Sequence, residues 1–173
     1  PTSSERNSAA PDINATVLEA LLHCAVGFRV NLADLCSTLS STPMTDILTH
    51  REAGISTITF NRLDKKNSIT SAMYAALADA VEAAAQDPAT RVLVFQGHET
   101  IFSAGNDIAD FLHNPPAEMD APVFRFLRAI STFPKPVVAA VCGPAVGIGT
   151  TMLLHCDLIY AGDNAAFSLP FVN

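Results

Sequence analysis

The sequence predicts an α/β protein assembled from strand-strand-helix units, and three observations lead there. From residue 44 onward, short apolar runs of strand length alternate with longer stretches of helical periodicity. The two strongest runs, Arg91-Val-Leu-Val-Phe-Gln96 and Pro136-Val-Val-Ala-Ala-Val141, are continuously apolar, the pattern of strands covered on both faces. The composition supports one packed core: of 173 residues, 49% are hydrophobic and 16% charged. With 8 Gly and 11 Pro, disordered and collagen-like chains are excluded.

The elements follow in order. Ile47-Leu48 and the alternating Ile55–Phe60 predict two paired strands around Glu52-Ala-Gly54. Asn61 to Ser68 is a polar turn carrying the cations Arg62, Lys65 and Lys66. Thr70 to Ala85 is Ala-dense and free of Gly and Pro. There Met73, Leu77, Ala80, Val81 and Ala84 recur at helical spacing, and Asp87-Pro88 ends the helix. After the strand at 91–96, a helix is expected over Asp107 to His113, with Asp107 as its cap. Pro115-Pro116 marks a loop, and Val123 to Phe133 gives a further helix stopped by Pro134. The strand at 136–141 leads into a glycine turn, an apolar helix from about Thr150, and a strand near Asp157 to Ala161. Residues 1–43 read differently, Ser- and Asn-rich at the start and irregular after it. They are expected to be a poorly ordered or extraneous extension, which leaves 44–173 as the folded domain.

Charge and cysteine content narrow the function. A net charge of −7 argues against a nucleic-acid partner held by a basic surface. The most apolar early stretch, Val17 to Phe28, is too short to cross a bilayer, so no membrane partner is expected. Cys24, Cys36, Cys142 and Cys156 form no CxxC pair, and no metal site or disulfide framework is expected. Cys142 and Cys156 read as small buried hydrophobes. His50, His98 and His113 lack ligand spacing, and His155 is expected to pack on an apolar helix.

Two segments share a design of strand, small-residue turn and helix: Phe102-Ser-Ala-Gly-Asn-Asp107 and Gly143-Pro-Ala-Val-Gly-Ile-Gly-Thr-Thr151. Small residues let a ligand approach the backbone, and the following helix leaves its first N–H groups unpaired. Two such turns in one domain suggest paired backbone donors aimed at one developing oxyanion. The alternative is that Gly105, Gly147 and Gly149 serve only packing and left-handed backbone geometry. From the residues alone both readings stand.

Asn61-Arg62 with Asn67, the 102–107 turn, Lys135-Pro-Val-Val-Ala-Ala-Val-Cys-Gly-Pro-Ala-Val-Gly147 and Cys156-Asp-Leu-Ile-Tyr-Ala161 together resemble the crotonase (enoyl-CoA hydratase/isomerase) superfamily, in order over residues 44–173. The resemblance implies a spiral of ββα units whose C-terminal helical part is missing from this sequence. It implies an acyl-CoA thioester substrate with no separate cofactor, and a homotrimer or a dimer of trimers at full length. By position, Asn106 and Ile148 would supply the two oxyanion N–H groups, so their side chains carry no role in that reading. Ala104, Gly105, Asp107, Ile108, Gly147, Thr151, Pro170 and Phe171 would line the acyl-CoA site. Lys65 and Lys66 would lie near the CoA phosphates, and Arg62, Lys65 and Lys66 together offer cations to them on an otherwise acidic protein.

The departures are equally informative. Hydratases of this family use two Glu residues; here Thr151 and Phe171, after Pro170, stand at those places, and no Glu follows Glu118. Neither Thr nor Phe is a general base near neutral pH. The Gly-Asn-Asp turn and the Leu-Pro-Phe-Val-Asn ending are most similar to peroxisomal-type Δ3,Δ2-enoyl-CoA isomerases, whose single catalytic Glu would fall beyond Asn173. The resemblance thus implies a C-terminally truncated isomerase of fatty-acid metabolism. It would be bacterial and cytoplasmic or eukaryotic and peroxisomal, and inactive as residues 1–173 alone. The alternatives are other acyl-CoA chemistry of the same family, or a non-catalytic acyl-CoA-binding subunit.

Overall fold

The computed structural model describes residues 45–170. The N-terminal extension and Phe171 fall outside them. Strands β1 (Ile47–Glu52) and β2 (Ile55–Phe60) form the expected hairpin, antiparallel with Ile47 opposite Phe60. The chain then enters helix α1 (Ser71–Gln86), whose N-cap Thr70 accepts the Met73 N–H at 3.2 Å. Strand β3 (Val92–Gln96) adds parallel to β2. Helix α2 (Ile108–His113) starts at the predicted cap Asp107, and α3 (Pro122–Ser131) begins on a proline at its first turn. Strand β4 (Val137–Val141) then pairs parallel to β3, with Val94 opposite Val138.

Beyond β4 the chain is tighter than its pattern suggests. A three-residue strand β5 (Pro144–Val146) precedes α4 (Ile148–Thr151), followed by a 3₁₀ turn at Met152–His155. The helix thus begins two residues before Thr150 and lasts about one turn. Strand β6 (Leu158–Ala161) closes the main sheet in the order β1-β2-β3-β4-β6, and β7 (Ala166–Ser168) pairs with β5 in a second, two-stranded sheet. A parallel bridge of Ser103 to Ala145 extends that small sheet. The β4–β5–α4 stretch passes from main sheet to small sheet to helix, and β6 and β7 repeat the step from main to small sheet, in keeping with the ββα fold class expected.

The core lies between the main sheet and the α1–α3 layer. Leu77 and Val81 of α1, Phe126 and Ile130 of α3, and Ile58, Leu93, Phe95 and Ala139 of the sheet are all buried. Burying each large side chain contributes about 1.5–3 kcal/mol. Burial on both faces holds for β3 and β4 but not for β6, all four of whose residues are exposed. β6 forms the edge of the sheet, and none of the described elements pairs with its outer side. Among the described residues no helix is long and apolar enough to cross a membrane.

Candidate active site

The two small-residue turns lie side by side. The Phe102 N–H and Ser103 N–H both donate to Pro144 O (3.0 and 3.2 Å), and the Val146 N–H returns to Ser103 O (2.9 Å). Both chains then turn through glycines of positive φ, Gly105 at +91° and Gly147 at +57°. A Cβ on Gly105 would stand 2.8 Å from Val146 O, so the first turn fits against the second only as glycine. Gly149 also packs closely, a Cβ there meeting Ser103 at 3.0 Å.

Hydrogen bonds fix the direction of the two donors. The Gly105 carbonyl accepts the Ile69 N–H (2.8 Å), and across a trans peptide the Asn106 N–H points the opposite way. The Gly147 carbonyl accepts from Thr150 and Thr151 (3.0 and 2.9 Å), and the Ile148 N–H is likewise turned away from it. Neither N–H has a hydrogen-bond partner among the described residues. The packing reading and the donor reading of the glycines are therefore compatible.

A cavity of about 230 Å³ lies beside the first turn, lined by Tyr74, Asn106, Asp107, Asp110, Phe111 and Pro122 among others. Ile148, Gly147 and Thr151 are not part of its wall. Thr151 is half-buried at the end of α4, and Ile108 is 74% exposed on α2. Pro170 is exposed two residues past Ser168, whose carbonyl accepts the Gly147 N–H at 2.9 Å. Ala104 is half-buried and donates its N–H to Lys66 O (3.0 Å), which joins the Lys65–Lys66 turn to the site. Both lysines are exposed, and neither is in an ion pair with a described residue.

Arg62 does not belong with them. Its guanidinium donates to Asp107 Oδ2 (2.7 Å) and to Ser68 O (2.9 Å), and it lies 3.7 Å from Asp46. It is committed to holding the turn and is not available for a phosphate. Asp107 is committed too. Its Oδ1 caps α2 through the Asp110 N–H (3.1 Å), and Arg62, then that N–H, hold its carboxyl down at about 2 against an ordinary 3.8. Asp110 in turn accepts the Ser71 N–H (2.6 Å), adding a second cap to α1.

A carboxyl depressed in the folded state stabilises the fold above its unfolded pKa, and that stability is lost as pH falls toward the folded value. Between about pH 4 and pH 2 the urea midpoint should therefore fall. Asp107→Asn should flatten that part of the profile, leaving the slope from Glu82 and Asp87, which are also lowered. A profile identical to that of the unsubstituted protein would show that the Asp107 contacts contribute nothing.

Two residues carry more of the site than their sequence context announces. Asn67 is fully buried at φ +54°. Its Oδ1 accepts the Arg62 N–H (2.8 Å) and its Nδ2 donates to Phe102 O (3.1 Å), while its carbonyl accepts Ser103 Oγ (2.9 Å). Ser103 Oγ also accepts the Gly105 N–H (3.1 Å), so one buried network shapes the first turn. Tyr74, 4% exposed on α1, donates its hydroxyl to Asn106 Oδ1 at 2.5 Å. His155 is exposed rather than packed. Cys142 is buried and disulfide-bonded, so the expectation of free thiols holds at Cys156 alone among the described cysteines. Burial pushes the Cys156 thiol up to about 12. No cluster of metal-ligating side chains occurs among the described residues.

The model of the enoyl-CoA hydratase/isomerase family matches residues 50–173. The chain belongs to that family. Among its enoyl-CoA hydratase/isomerase relatives, enoyl-CoA delta isomerase 2 of Rattus norvegicus is 39% identical over 165 residues, 83% of this chain and 42% of that protein. The 2,3-dehydroadipyl-CoA hydratase of Escherichia coli K12 is 32% identical over 128 residues, 73% of this chain and 50% of that protein. Among solved structures, Pseudomonas aeruginosa OdaA superposes with a TM-score of 0.71 at 52% identity, over 73% of this chain and 51% of that one. The chain thus spans about half the length of these relatives.

Proposed function

We propose that the complete protein is a Δ3,Δ2-enoyl-CoA isomerase. The observation that carries this reading is the pair of adjacent turns whose Asn106 and Ile148 N–H groups are left without partners among the described residues, in a chain that has Thr151 where a hydratase would carry an acid. A general base removes a proton from C2 of a 3-enoyl-CoA, and the electron pair moves into the thioester carbonyl to give a dienolate. The two N–H groups hold its oxygen, a contribution of about 3 kcal/mol for each donor. Return of the proton at C4 moves the double bond to C2–C3.

The acids beside the first turn, Asp107 and Asp110, are both engaged as helix caps, and this reading assigns the base to a Glu beyond Asn173. Lys65 and Lys66 meet the CoA phosphates, and assembly is as a trimer or a pair of trimers. The compartment is the bacterial cytoplasm or the peroxisome. The similarity to delta isomerases supports the reaction type over hydration. Incubating the complete protein with 3-enoyl-CoA and, separately, with 2-enoyl-CoA tests it. Conversion of the first to the 2-enoyl isomer is expected, and hydration of the second as the main reaction would overturn the proposal.

A further inference from the structure

The contact between Tyr74 and Asn106 gives the Asn106 side chain a role that the backbone reading leaves out. Resting on the oxyanion reading above, we propose that Tyr74 is a positioning residue: its buried hydroxyl pins the Asn106 carboxamide and thereby holds the Gly105–Asn106 peptide, with its outward N–H, in the orientation the reaction needs. Three observations support it.

The hydroxyl itself is rigidly placed. The Tyr74 ring lies 5.9 Å from Phe126, and Phe126 lies 6.3 Å edge-on to Phe95 of β3. The contact at Asn106 therefore ties an exposed turn to the centre of the sheet.

Asn106 needs such an anchor. Asn side chains in turns readily accept from neighbouring backbone N–H groups, a competition that reshapes the turn. With Oδ1 already accepting from Tyr74, that competition is reduced. The peptide is then held from both sides, by Ile69 on the Gly105 carbonyl and by Tyr74 on the Asn106 side chain.

The donor also keeps its proton. Burial raises the phenol pKa, which keeps the hydroxyl a donor throughout the working range. A buried tyrosine hydroxyl requires a partner, and among the described residues Asn106 Oδ1 is the one it has.

The test uses the complete protein with acetoacetyl-CoA, whose enolate absorbs in the near ultraviolet, and butyryl-CoA, which does not ionise. Tyr74→Phe and Asn106→Ala should each lower the enolate formed on binding, and kcat on 3-enoyl-CoA, by on the order of tenfold. The butyryl-CoA Kd should stay within about twofold, since ground-state binding is not what the contact supports. In the double variant the two losses should not multiply, because both remove the same contact. An unchanged enolate band in either single variant, or losses that multiply, would overturn the role of Tyr74. If the unsubstituted protein binds butyryl-CoA but yields no enolate from acetoacetyl-CoA, the oxyanion reading itself fails and the proposal with it. Asn106→Ala alters an exposed residue, which keeps the test decisive even if Tyr74→Phe destabilises the core.

Discussion

Ile148→Pro in the complete protein is expected to lower kcat on 3-enoyl-CoA by about 10²–10³-fold, the loss that follows removal of one oxyanion donor. Proline deletes the N–H, and the local backbone tolerates it unusually well. Ile148 is the first residue of α4, where proline's fixed φ suits the helix and no intrahelical hydrogen bond is lost. The residue before a proline avoids the α region, and Gly147, at φ 57° and ψ −117°, is already extended in the mirror sense open to glycine. The half-buried Ile148 side chain also packs against the core, so Ile148→Ala, which keeps the N–H, is the control and should lose far less. Single-turnover kinetics with a 3-enoyl-CoA would read both. Normal turnover by Ile148→Pro would exclude this N–H from the reaction.

How much of this could be read beforehand depended on where the determining contacts lie in the chain. Strands β3 and β4 were legible because a strand covered on both faces must be apolar at every position, and Val92–Phe95 and Val137–Val141 are. Helix α1 was legible from its alanine density and spacing, and the α2 cap from Asp107 itself. Strands β5 and β7, at three residues each, leave too little pattern to detect. They exist because Ser103, Ala145 and Phe167 fall side by side in space.

The same reasoning explains the errors at the site. Arg62 looked like a phosphate ligand beside Lys65 and Lys66, but its partner Asp107 is 45 residues away and invisible to local inspection. Tyr74 sits in a helical pattern among core residues, and nothing in its neighbours announces that its hydroxyl reaches Asn106. The glycine turns were the exception. Their backbone geometry is declared by the small residues in the sequence, although the residues alone left the packing and donor readings both open.

The turn at Gly105 should be the least tolerant position. Gly105→Ala is expected to lower stability by on the order of 3 kcal/mol. Of this, about 1–2 kcal/mol is backbone strain at φ +91° and about 1–3 kcal/mol is steric overlap. The overlap is with backbone: the new methyl would stand 2.8 Å from Val146 O, and that carbonyl cannot rotate away as a flexible side chain could. The two turns therefore have to part, and it is their close approach that sets the spacing of the Asn106 and Ile148 N–H groups. A displacement of about 1 Å between reacting groups costs about 10²-fold in rate. Turnover should fall by that order even under conditions where the variant stays folded. Gly147→Ala separates the two contributions. Its φ of +57° is also positive, but a Cβ there meets nothing within 4 Å, so strain acts without overlap. Urea denaturation and kcat measured side by side should rank Gly105→Ala well below Gly147→Ala on both scales. Equal effects would mean that the close approach of the two turns does not set the donor geometry.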